Sequence, residues 1–211
     1  MQIRRGRPPA LRSWLIKTKK MKSNRHGQSR VLSTDELDLL ISKLPEQNHK
    51  IVAEICRRTG CRIGEVTQLT WGMVSESAVT FQRGITKGKL ASRSVPVTPQ
   101  LWEALRSWRA SWVVRQGREP VAGDYLVPGR FVGSCLSTRS FMDALERAAA
   151  ESGLEGVSSH SFRRSALTSA HNAGVPLRVL MALSGHKSMS ALQRYLEVTP
   201  QQREEAAATF A

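Results

Sequence analysis

Tyr195 follows His186 by nine residues in the stretch Ser184-Gly185-His186-Lys187-Ser188-Met189-Ser190-Ala191-Leu192-Gln193-Arg194-Tyr195. Upstream, in order, stand Arg62, the pair Lys87 and Lys89, His160 and Arg163. A phenol ionises only near pH ~10, so it attacks poorly at neutral pH without a proton acceptor and nearby positive charge. These residue types supply both. A phosphodiester under attack gathers negative charge on its nonbridging oxygens, and an arginine fork can bind two of them at once. Histidine can take the phenolic proton or donate to an oxygen near pH 7. A lysine on a hairpin can reach the leaving 5′ oxygen as a general acid. The covalent phosphotyrosine would conserve the bond energy, so the chemistry calls for no cofactor, neither ATP nor metal.

Several elements must position these groups. Ser33-Thr34-Asp35-Glu36 reads as a capping box opening a helix whose apolar face is Leu37, Leu40, Ile41 and Leu44, ending near Pro45. A second helix is predicted over Gln47–Thr59 with Gly60 as its stop, and Arg62 opens a short third. Ala78–Phe81 and Ser94–Val97 read as strands of a small antiparallel sheet, with Lys87-Gly88-Lys89 in the hairpin between them. Thr98-Pro99 starts a helix with Leu101, Leu105, Trp108 and Trp112 on one face, a stripe that reads as core. A loop is expected over roughly 117–133. Helices then follow near 137–152, 159–173, 176–184 and 188–197, and a terminal one opens at Thr199-Pro200. His160 and Arg163, three apart, share one helical face. The fold class is mainly α with a small antiparallel β-sheet.

Bulk charge agrees with a polyanionic partner. Among 211 residues, 32 Lys plus Arg stand against 17 Asp plus Glu, a formal charge of +15. Each neutralised phosphate releases condensed counterions, which favours nucleic acid. The sequence shows neither an apolar run long enough to span a bilayer nor a signal-peptide core, so no membrane role is expected. Cys56, Cys61 and Cys135 lack metal-ligand spacing and read as reduced thiols of a cytoplasmic protein. Residues 1–30 carry no acid and read as a flexible basic arm, with Arg4, Arg5, Arg7, Lys17, Lys19, Lys20 and Lys22 as candidate DNA contacts. Its start, Arg4-Arg5-Gly6-Arg7-Pro8, is similar to a minor-groove AT-hook core, and a generic phosphate-binding tail explains it equally.

Taken together, these motifs resemble the tyrosine recombinase (phage integrase) family. Thr59-Gly60-Cys61-Arg62-Ile63-Gly64-Glu65, Thr86-Lys87-Gly88-Lys89 leading to Arg93-Ser94-Val95-Pro96, His160-Ser161-Phe162-Arg163, Gly185-His186 and Arg194-Tyr195 carry the likeness over roughly residues 31–198. The resemblance implies the family's catalytic-domain fold and a 3′-phosphotyrosyl intermediate formed by Tyr195. It implies that Arg62 and Arg163 bind the nonbridging oxygens, that His186 assists them, and that His160 is the proton acceptor or hydrogen-bond partner. Lys87 would be the acid, although periodicity does not choose it over Lys89, and Glu65 would orient the site. Partners implied are double-stranded DNA, a homotetramer on paired sites, and a DNA-bending accessory protein as a candidate. The expected location is the nucleoid.

Family members commonly carry an N-terminal core-binding domain of about a hundred residues. Thirty residues cannot hold one, so the chain resembles the minimal recombinases, with the arm expected to replace part of the clamp. Residues 199–211 are expected to dock on a neighbouring subunit. Ser184, where the family often has Leu, and Leu196-Glu197 depart from the common pattern without occupying a catalytic position. Two other readings compete: a non-cleaving DNA-binding relic, and a type IB topoisomerase.

Overall fold

The computed structural model describes residues 28–86, 91–198 and 200–210. The arm candidates Arg4, Arg5, Arg7, Lys17, Lys19, Lys20 and Lys22, and the hairpin lysines Lys87 and Lys89, lie outside the described residues.

The capping box forms as the sequence predicts. Ser33 Oγ accepts from the Glu36 N–H, and the Glu36 carboxylate accepts from the Ser33 N–H. Helix α1 (Thr34–Ser42) therefore starts with its orphan donors satisfied. Helix α2 (Gln47–Thr59) is the centre of the domain, packing against α4 (Pro99–Gln116) and α6 (Ser159–Asn172). Its Val52, Ala53 and Ile55 are fully buried. Trp108 and Trp112 on α4 are core residues whose indole N–H groups donate to the carbonyls of Leu126 (2.8 Å) and Tyr125 (3.2 Å). That satisfies the only polar atom of each ring.

Strands β1 (Ala78–Phe81) and β2 (Arg93–Pro96) pair antiparallel, with Ala78 opposite Pro96 and Phe81 opposite Arg93. Val79, Phe81 and Val95 face the core. In sequence, Lys87 and Lys89 fall between these two strands. Helix α5 (Thr138–Glu151) seals the core with Phe141, whose ring meets Phe162 of α6 edge-on at 6.3 Å.

A second, smaller cluster forms where α6, α7 (Leu177–Ser184) and α8 (Met189–Gln193) meet. Leu167, Leu180 and Leu192 are buried there, with Tyr195 and Leu196 packed against them. Helix α8 is shorter than the predicted 188–197. Tyr195 lies in a turn beyond it, because its N–H bonds back to Leu192 (2.8 Å) and the Leu196 N–H to Gln193 (3.1 Å). These i→i+3 bonds tighten and end the helix. Thr168 of α6 then donates to the Tyr195 carbonyl at 3.2 Å, anchoring the turn.

Residues 28–30, grouped with the arm by sequence, are stitched to the folded body. Ser29 is buried and pairs with Ser158 (2.5 Å), and the Arg30 N–H donates to Gly156 (2.9 Å). Helix α9 (Pro200–Ala208) returns to α6 through Gln202 and Asn172, 2.9 Å apart. Among the described residues no helix is long and apolar enough to cross a membrane.

Candidate active site

The turn after α2 sets the first arginine. Gly60 caps α2 with φ 61°, a left-handed conformation that costs a side-chain-bearing residue strain. The chain then runs extended through Arg62 into helix α3 (Ile63–Val66). Glu65, the third residue of that helix, reaches back to the Arg62 N–H (2.9 Å) and to its guanidinium (3.1 Å). The Arg-x-x-Glu spacing thus fixes both the entry of α3 and the direction of Arg62.

Helix α6 supplies the next two groups. Its N-cap Ser158 accepts from the His160 N–H, so His160 stands at the exposed first turn. Arg163 lies one turn further in and is 1% exposed. It donates to the carbonyls of Gly60 (2.8 Å) and Ser184 (2.9 Å), bridging the turns after α2 and α7. Its Nε is buried with no hydrogen-bond acceptor among the described residues.

His186 and Tyr195 close the cluster. The Tyr195 hydroxyl is 3.4 Å from His160 Nδ1, its ring lies 4.8 Å from the His186 ring, and Arg163 sits 5.1 Å over its face. A cleft of about 570 Å³ is lined by Arg62, His160, Arg163 and Tyr195, together with Glu65 and Gln68. Gly84, Ile85 and Thr86, which lead into Lys87, line it too. His186 is behind this wall, 8% exposed and against Arg163. The sequence-predicted residues Arg62, Glu65, His160, Arg163, His186 and Tyr195 are therefore brought together.

Two participants were given no role by the sequence motifs. Arg93 on β2 forms a two-pronged contact with Glu65, at 2.6 and 3.2 Å, and donates from Nε to the Leu183 carbonyl at 3.0 Å. Its guanidinium also covers the Phe81 ring at 4.4 Å. Arg93 thus ties the lysine-bearing hairpin to Arg62's carboxylate partner and to the turn that carries His186. Ser184, read from sequence as a departure outside the catalytic positions, contacts two of them. Its carbonyl accepts from Arg163 and its hydroxyl lies 2.7 Å from His186 Nδ1. The contacts of Arg93 with Glu65 and of Ser184 with Arg163 have no local sequence signature, since tertiary packing brings those partners together, whereas Ser184 meets His186 across the Gly185 turn. Arg164, beside Arg163, is also buried. It donates to Gln28 and faces Glu197 at 3.8 Å.

The electrostatics are lopsided. Three guanidinium groups (Arg62, Arg93, Arg163) surround one carboxylate, Glu65. Burial opposes the Glu65 charge, but hydrogen bonds from Arg93 and the Arg62 backbone outweigh it and hold the carboxyl below its ordinary range. Burial, then the like charge of Arg62, lowers Arg163 to about 10, so it is still a cation at neutral pH. Burial, then Arg163, Arg62 and Arg93, push His186 down to about 3, so its imidazole is neutral. The uncompensated positive charge makes the cleft a receptor for an anion. Among the described residues no three metal-ligating side chains cluster.

The sequence model of the phage integrase family matches residues 30–202. The chain belongs to that family. A tyrosine recombinase XerD from Mycobacterium leprae is 33% identical over 161 residues, covering 72% of this chain and 49% of that protein. The XerH site-specific recombinase, solved as a post-cleavage complex with a palindromic substrate, superposes with a TM-score of 0.71 at 22% identity, covering 85% of this chain and 52% of that one. The catalytic domain of bacteriophage HP1 integrase gives 0.59 at 18% identity, covering 86% and 95%. The fold is that of an integrase-family catalytic domain. The chain spans about half the length of the curated relatives it matches.

Proposed function

We propose that this integrase-family chain is a site-specific recombinase that cleaves and rejoins double-stranded DNA through Tyr195. The observation that carries the reading is the shared cleft, in which one phenol, one histidine and two arginines face a common space. In the reaction, Tyr195 Oη bonds to the scissile phosphorus while the bond to the 5′ oxygen breaks. The phenolic proton passes to His160, and the 5′ oxygen leaves as a hydroxyl after taking a proton from Lys87 or Lys89. Arg62 and Arg163 hold the nonbridging oxygens, and Arg163 Nε, which has no acceptor among the described residues, supports that role, since a phosphate oxygen would satisfy it. The 3.4 Å separation of Tyr195 Oη and His160 is long for a hydrogen bond and tightens when substrate aligns the phenol. Rejoining is the reverse attack by a 5′ hydroxyl. The proposal includes a homotetramer on paired sites, residues 199–211 docking on a neighbouring subunit, basic-arm residues on the DNA backbone, and action at the nucleoid.

The test is a set of nicked suicide duplexes tiling the DNA that flanks the gene. The wild type should yield a detergent-resistant protein–DNA adduct, and Tyr195→Phe should bind the same duplex without one. Recombinant junctions from paired sites support recombination. Relaxed circles without junctions would point to a topoisomerase, and binding without any adduct would refute cleavage.

A further inference from the structure

The hydrogen-bond geometry around Ser184 carries a consequence for His186 that the catalytic motifs do not contain. Ser184 is fully buried at the last position of α7. Its Oγ lies 2.5 Å from the Leu180 carbonyl oxygen and 2.7 Å from His186 Nδ1. Two oxygens that close repel unless a hydrogen lies between them, and a carbonyl has none to give. The single hydroxyl hydrogen of Ser184 is therefore committed to Leu180, the back-bonding geometry common to serine within a helix. The contact with His186 must then be made by a hydrogen on Nδ1, with Ser184 Oγ as acceptor.

Arg163 does not set this choice. Its Nη2 lies 3.2 Å from Nδ1 and 3.0 Å from Nε2, almost equally far from both, and it also serves the Ser184 carbonyl. Other charged groups near the ring are Arg62 and Glu65 at α3 and Arg93 on β2. These bear on the charge of the ring rather than on which nitrogen holds the hydrogen. Gly185, with φ 68°, makes the turn that brings the ring back over Ser184, and Arg93 closes the turn from outside by holding the Leu183 carbonyl.

We propose that Ser184 is a positioning residue that holds neutral His186 as the Nδ1–H tautomer, leaving Nε2 without a hydrogen against Arg163. Histidine in water prefers its hydrogen on Nε2, so the site inverts the usual state. In the free protein His186 receives a hydrogen bond from the arginine side. It becomes a donor to a bound phosphate only by gaining a proton, with Nδ1–H still held by Ser184. The catalytic consequence rests on the recombinase reading above; the tautomer does not.

The experiment is 15N NMR of the full chain labelled at histidine, near neutral pH, with His186 assigned by the resonances that disappear in His186→Gln. Nδ1 should resonate as a protonated nitrogen and Nε2 as a bare one. In Ser184→Ala the pattern should move toward Nε2–H, and Ser184→Thr, which keeps the hydroxyl, should hold the wild-type pattern. A wild-type Nε2–H tautomer overturns the proposal even if neither variant folds. Adduct formation should fall roughly tenfold in Ser184→Ala, the scale of one missing hydrogen bond to a buried polar group. It should be restored in Ser184→Thr. A wild type with the expected tautomer that forms no adduct would sink the recombinase reading and leave the Ser184 assignment standing. A wild type that cleaves with the other tautomer would do the opposite.

Discussion

Replacing Arg93 with methionine probes the link between hairpin and site. The substitution keeps much of the stem volume and removes the charge, leaving Glu65, whose side chain is 3% exposed, with Arg62 as its remaining ion-pair partner among the described residues. Removing one partner of a buried ion pair costs about 3–5 kcal/mol. Arg62 still holds Glu65 through two hydrogen bonds, so the lower end applies. The Leu183 carbonyl loses its donor, worth about 1 kcal/mol, and the packing over Phe81 is worth about 0.5–1 kcal/mol. These effects overlap, and the net expectation is about 3–4 kcal/mol. For a domain of this size that lowers Tm by roughly 6–16 °C. Urea or thermal unfolding of the full chain reads it directly. Pairing Arg93→Met with Glu65→Gln should recover about half the destabilisation, because the double variant no longer buries an unpaired carboxylate. A destabilisation under about 1 kcal/mol in the single variant, or strict additivity in the pair, would refute the reasoning.

Other expectations follow from the same geometry. His186 is held far below its ordinary pKa, so the unfolded chain binds a proton that the folded one refuses. Stability is full above pH ~6.5 and falls as acid approaches the folded value of about 3; at pH 5 the decrease is about 2 kcal/mol, and His186→Gln should flatten that slope in denaturation curves. Glu65 acts in the same direction at lower pH, since its depressed carboxyl contributes stability that disappears as pH falls through its folded value. Gly185→Ala combines a left-handed φ of 68° with a Cβ 3.2 Å from the Arg93 guanidinium, so it should destabilise by roughly 1–2 kcal/mol and slow adduct formation. Deleting residues 1–27 should weaken DNA binding and reduce the slope of log affinity against log salt by about 0.9 for each phosphate that the arm no longer neutralises; an unchanged slope in a fluorescence-anisotropy titration would remove the arm from the interface.

Elements whose signals are local were legible in the sequence. The capping box at Ser33, the left-handed stop at Gly60, and the Pro99 start of α4 fall where short-range chemistry puts them. The tryptophan stripe is core because a period near 3.6 marks one buried face. At the site, the i,i+3 spacings of Arg62 with Glu65 and His160 with Arg163 reveal pairs that a helix holds together. Arg93 and Ser184 were hidden for the opposite reason. Arg93 meets Glu65 from 28 positions away, and Ser184 meets Arg163 from 21, so no periodicity encodes either pairing. The helix before Tyr195 is shorter than its sequence pattern suggests because its end is imposed from outside, by Thr168 of α6 and by a tightened last turn.

The central claim is that one phenolic oxygen, Tyr195 Oη, becomes esterified to DNA. Mass spectrometry of the nuclease-trimmed, protease-digested adduct tests it most directly. The prediction is a nucleotide remnant on the peptide containing Tyr195, fragmenting to place the phosphate on that residue. A remnant on any other residue would contradict the account.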